Sequence, residues 1–143
     1  MIGWMVVVGC EAEDPPAQVA ADPRGEGPRS VEVERWSMDL GARGGFPPSV
    51  PVAAYVPQGE ASPPVVWFLG GAGAGVEVWH DSLLHVAKWG FLVLAPTWDS
   101  VANPRTHAGL AADLEAAVGW LRRTAVEGVT PDVERVGAWG FGR

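Results

Sequence analysis

The residues best placed to do chemistry stand at the end of an apolar run, Val133-Glu-Arg-Val-Gly-Ala-Trp-Gly-Phe-Gly-Arg143. A strand that runs into a Gly-x-Ser-x-Gly turn lifts the serine oxygen clear of the sheet, because small flanking residues permit a very sharp strand-to-helix bend. In this chain the display position is Gly142, which supplies the bend and no oxygen. A second glycine cluster, Gly70-Gly-Ala-Gly-Ala-Gly75, follows another apolar run, Val65-Val-Trp-Phe-Leu69. Backbone N–H groups in such a turn can approach and polarise a ligand oxygen. The same glycines serve equally as a tight strand-to-helix turn with no ligand.

Other chemistry-bearing residues are scattered. His80 and His85 are five apart, so on one helix they point to different sides, and with His107 they read as surface histidines. Asp99, beside Trp98, follows Phe91-Leu-Val-Leu-Ala-Pro96 at the position where open α/β sheets bind ligands. An aspartate there also caps loop backbone. Ser37, Ser49, Ser62, Ser82 and Ser100 stand in no elbow context. No spacing suggests a metal site or a cofactor. A dinucleotide fingerprint fails because Gly-x-Gly-x-x-Gly begun at Gly71 ends on Val76, and begun at Gly73 on Val78.

These residues need elements to position them. Ser30 to Trp36 alternates apolar and polar residues, and Val50 to Val56 is a second extended run, which suits an antiparallel pair at a sheet edge where Pro51 costs least. Val65 to Leu69 and Phe91 to Pro96 are continuous apolar runs, the pattern of parallel strands buried on both faces, and Val133 to Trp139 reads as a third buried strand. Between them, Trp79, Leu83, Val86 and Ala87 recur at helical spacing over Glu77 to Trp89, with Gly90 as the stop. Asn103-Pro104 offers a cap and first-turn proline for a helix using Leu110, Leu114, Val118 and Leu121. The order predicts an α/β fold, a mostly parallel sheet with flanking helices and an antiparallel N-terminal strand pair. A last central strand with one edge unpaired and one face uncovered marks residues 30 to 143 as the N-terminal part of a larger domain. Trp67, Trp120 and Trp139 fall on apolar strand or helix positions and read as core, while Trp98 could line an acyl or aromatic cleft.

The chain has 143 residues, 48% hydrophobic and 19% charged, which predicts one ordinary globular domain. Its net charge of −7, with ten Lys and Arg in no stripe, argues against nucleic acid as a partner. The only cysteine, Cys10, follows Met5-Val-Val-Val-Gly9 and resembles the acylation site of a bacterial lipoprotein signal. Met1 to Gly9 nonetheless lacks the usual opening positive charge. A buried or incidental thiol is the alternative. The resemblance implies membrane anchoring through Cys10 and a cell-envelope or secreted location. Residues 11 to 29, rich in Ala, Pro, Asp, Glu and Gly, read as a flexible tether.

From Ser30 to Arg143 the sequence resembles the first half of an α/β-hydrolase, most similar to the dienelactone hydrolase, chlorophyllase, platelet-activating-factor acetylhydrolase and polyester hydrolase group. Pro64-Val-Val-Trp-Phe-Leu-Gly-Gly-Ala-Gly73, Lys88-Trp-Gly-Phe-Leu-Val-Leu-Ala-Pro96 and Pro131-Asp-Val-Glu-Arg-Val-Gly-Ala-Trp-Gly-Phe-Gly142 carry the resemblance. It implies an oxyanion hole from the backbone N–H groups of Ala72 and Arg143, with Gly70 where a histidine is usual, and a cleft bordered by Gly71, Gly73, Trp98 and Asp99. It implies an ester substrate, small or polymeric, and no cofactor. It also implies a fragment without catalysis, since Gly142 replaces the nucleophile and the acid and histidine of the triad follow that point in this fold. The alternative is a non-catalytic lipoprotein that keeps the scaffold as a binding module.

Overall fold

A computed structural model describes residues 22–41, 49–70, 75–97, 106–124, 126 and 128–140. Five strands form one mixed sheet: β1 (Val31–Asp39), β2 (Ser49–Pro57), β3 (Pro64–Leu69), β4 (Leu92–Pro96) and β5 (Asp132–Gly140), in spatial order β1-β2-β4-β3-β5. β1 and β2 are antiparallel to each other, and β2 is antiparallel to β4. β3 runs parallel to both β4 and β5. The chain thus moves across the sheet one way from β3 to β4 and the other way from β4 to β5. Right-handed crossovers then require the two connecting helices to lie on opposite faces.

They do. Helix α1 (His80–Lys88), entered through a single 3-10 turn at Val76–Trp79, brings Leu83 and Ala87 onto Tyr55, Phe68, Val93 and Ala95. Helix α2 (His107–Arg123) brings Ala117 and Leu121 onto Val52, Ala54, Val56, Val65, Trp67, Leu92 and Leu94. Neighbouring residues of β2, β3 and β4 therefore feed two cores alternately, which is why those strands read as unbroken apolar runs. At the end of α1, Gly90 takes φ +94 and its N–H bonds to the Ala87 carbonyl at 2.9 Å, as its place beyond the helical spacing predicts.

The structure corrects four readings of the sequence. Pro51 is not at a sheet edge, because β2 is flanked by β1 and β4. It is tolerated because its carbonyl accepts from Thr97, one residue past the end of β4, so its nitrogen faces a position with little ladder left to join. Helix α2 is capped by Thr106, whose hydroxyl accepts from the Gly109 N–H at 3.0 Å, and not by Asn103, which with Pro104 lies outside the described residues. The stretch from Glu77 to Trp89 is a 3-10 turn followed by nine α-helical residues, and no side chain caps either start. Finally, β5 is not buried on both faces and Trp139, at 36% exposed, is not core, whereas the unpaired outer edge expected of this strand is present among the described residues. Trp67, by contrast, is fully buried as predicted.

Of the expected tether, residues 11–21 lie outside the described residues; residues 22–29 rest against the C-terminal end of α1, through contacts set out below.

Candidate functional site at the carboxyl edge of the sheet

Because α1 and α2 leave the sheet toward opposite faces, the loops after β3 and β4 part at its carboxyl edge, the place where open α/β sheets form ligand crevices. The register shows which loops share that place. Leu69, the last residue of β3, pairs with Gly140, the last of β5. Parallel neighbours lie about 4.8 Å apart, so the segments carrying Ala72 and Gly142 start side by side and travel three and two residues, respectively, from paired positions. Gly140 belongs there for steric reasons: a Cβ on it would meet the Leu69 carbonyl oxygen at 3.2 Å and the Leu69 Cβ at 3.5 Å. Gly71, Ala72, Gly73, Trp98, Asp99, Gly142 and Arg143 themselves, and Cys10, lie outside the described residues.

Beneath this edge, on the α1 face, three aromatic rings meet. Phe68 of β3 contacts Trp139 of β5 edge-on with centroids 5.0 Å apart, and contacts Trp79, tilted, at 5.7 Å. Phe68 thus links the turn before α1 to β5.

Further along the same face is an arrangement that sequence reading missed. The Tyr55 hydroxyl lies 3.1 Å from Nδ1 of His80, with the two rings 5.6 Å apart. Burial pushes the phenol pKa up from its usual value of about 10, nearby Glu77 raises it further, and Arg35 opposes them. The phenol and Nδ1 share one hydrogen bond whose direction follows the tautomer of His80. The pair borders a groove of about 410 Å³ between β1, β2 and the 3-10 turn, lined among others by Val33, Arg35, Ala53 and Glu77. A smaller hollow of about 130 Å³ sharing Arg35, Ala53 and Glu77 extends it to Thr97. The signal for this contact was available, since Tyr55 has the same phase on β2 as Ala53 and so faces α1. His85 sits on another side of α1, with Nε2 at 3.2 Å from the Pro23 carbonyl.

At the start of β5, Asp132 accepts from the N–H groups of Glu134 at 3.1 Å and Arg135 at 3.3 Å, and pairs with the Arg135 guanidinium. The guanidinium chiefly, and the Glu134 N–H after it, hold this carboxyl below its usual range. Among the described residues no cluster of His, Cys, Asp and Glu has the make-up of a metal site, and no helix is long and apolar enough to cross a membrane.

No family model and no curated protein matches the chain. Solved structures do. A bacterial heroin esterase is similar with a TM-score of 0.59 and 26% identity, over 77% of this chain and 35% of that one. A thermostable esterase from Pseudomonas putida aligns at a TM-score of 0.55 and 18% identity, over 77% and 34%. A Klebsiella pneumoniae protein assigned as a dienelactone hydrolase aligns at 0.53 and 19%, over 77% and 50%. The chain carries part of an α/β-hydrolase fold. It spans about a third of the length of the two esterases, which agrees with a partial, N-terminal correspondence. In an α/β-hydrolase the loops after the third and fifth strands of this order supply the oxyanion donors and the nucleophile elbow, and here β3 and β5 are the strands whose ends pair.

Proposed function

We propose that the chain is the N-terminal part of a carboxylic ester hydrolase of the serine type, and that as written it turns over no ester. The pairing of Leu69 with Gly140 carries this reading, because it sets the Ala72 and Gly142 segments off from one point of the sheet edge. Ala72 and Arg143 would give the N–H groups that stabilise a tetrahedral oxyanion, while Gly71, Gly73, Trp98 and Asp99 would border the cleft. At Gly142 no hydroxyl is available for attack, so no acyl-enzyme forms. The dienelactone hydrolase and polyester hydrolase group is the branch this reading favours, with a small or polymeric ester as substrate. Cys10, acylated, would hold the protein at the bacterial cell envelope.

Two measurements test it. The chain is expected to show no burst with p-nitrophenyl acetate and no covalent labelling by a fluorophosphonate; stoichiometric labelling would overturn the assignment of Gly142. In the genome, a reading frame that continues with glycine and later supplies an aspartate and a histidine supports the hydrolase; a continuation without them ends it. A second reading, a lipoprotein that uses the scaffold only to bind, is favoured by the groove beside Tyr55 and His80. It requires a full-length product that keeps Gly142 and binds ester analogues without hydrolysing them.

A further inference from the structure

The stretch from Asp22 to Arg29 is fastened to the body at backbone level. Arg29 donates its N–H to the Lys88 carbonyl at 3.1 Å, satisfying one of the acceptors that the last turn of α1 leaves open. Its guanidinium spans to the β2–β3 turn, reaching the Gly59 carbonyl at 2.9 Å and the Glu60 carboxylate at 2.8 Å. Lys88 returns a contact to Glu26 at 3.3 Å, and His85 meets the Pro23 carbonyl at 3.2 Å. Between these, Gly27 lies so close to the helix end that a Cβ on it would stand 2.4 Å from the Lys88 carbonyl carbon and oxygen. Only glycine fits that approach.

The place of this fastening is informative. α1 ends and β4 begins at the amino edge of the parallel strands, and the β2–β3 turn lies at the same edge. The carboxyl edge, with Leu69, Pro96 and Gly140, is the length of a strand away, about 20 Å for the six residues of β3. We infer that residues 22–29 are a built strap that fixes the exit of the N-terminal segment at the amino pole of the sheet, so that a lipid surface holding the chain through that segment faces the amino pole and the carboxyl edge points away from it. The strap stands on its own contacts; its orienting role rests on the anchoring proposed for Cys10.

Spin labels test the geometry in the whole chain without requiring cellular acylation. Cys10 is the only cysteine, so Ser62→Cys at the amino edge and Thr97→Cys at the carboxyl edge, both exposed positions, each give one labelled pair. Twelve residue steps separate Cys10 from Asp22, and a coil of that length has a span of about 20 Å on average, for which the mean distance to position 62 is shorter than that to position 97 by roughly 10 Å. Equal or reversed distances overturn the proposal. Hydrogen exchange gives an independent check: the Arg29 amide should be protected, and Gly27→Ala should speed its exchange at least about tenfold while the amides of β2 and β4 keep theirs. Free exchange at Arg29 in the unaltered chain also overturns it. Absence of fatty-acid incorporation at Cys10 in bacteria, with the spin distances as expected, would end the anchoring reading and leave the strap standing.

Discussion

Tyr55 is the only tyrosine of the chain, so its ionisation can be followed by tyrosinate absorbance without interference from another phenol. Burial and Glu77 raise its pKa, and the folded protein should therefore titrate at a midpoint above 10, returning to about 10 in denaturant. Linkage follows with a definite sign: a pKa raised in the folded state means stability is intact below the unfolded pKa and falls as pH rises through the folded one. Tyr55→Phe removes the bond to His80 and should cost about 1 kcal/mol at neutral pH in denaturant unfolding. Asp132 has the opposite sense. Its pKa is depressed by Arg135, so its contribution is present above the unfolded value near 4 and is lost as pH falls through the folded value. Asp132→Asn should flatten that part of the acid limb in thermal melts taken across pH 3 to 7, a window set by the same unfolded reference.

At the scale of elements, the two-sided burial of β2, β3 and β4 makes single truncations expensive. Leu94 is fully buried among Val52, Ala54, Val56 and the face of α2, and Leu94→Ala should cost about 2–5 kcal/mol by urea unfolding. Thr106→Ala, which removes the α2 cap, should cost about 1 kcal/mol. These strands were legible because a run such as Val65 to Leu69 with no polar residue leaves little alternative to a strand covered on both sides. The start of α2 was less so. Asn103 and Thr106 both carry a capping oxygen, and the choice between them depends on where the chain arrives from β4, which no local pattern encodes. Trp139 was misplaced for a related reason: its apolar character matches a covered face, and the cover must come from elsewhere. The Leu69–Gly140 pairing, on which the candidate site depends, joins residues 71 positions apart in sequence. The family resemblance implied only that Ala72 and Arg143 share an oxyanion hole, and the coordinates gave the strand neighbours and the register.

For the molecule as a whole, the two ends of the sheet behave differently. β1, the other edge strand, carries Glu32, Glu34, Arg35 and Asp39, charges that discourage further strand pairing. β5 offers Val136 at 38% exposed and Trp139 at 36%, on a strand of nine residues whose outer edge pairs with nothing among the described residues. This chain alone should therefore self-associate as its concentration rises. Val136→Lys should shift sedimentation toward monomer, whereas Lys placed at the already polar Glu32 should not.

One irregularity in β5 bears on how the end of that strand could be re-engineered. Pro64 is matched by Asp132 but the next residue, Val65, by Val136, so Val133 to Arg135 have no partner on β3 and are gathered under the Asp132 carboxylate. Removing one residue from that irregularity leaves everything after Val136 in step with β3. Removing one between Val136 and Trp139 puts each later side chain of the strand through to the opposite face of the sheet.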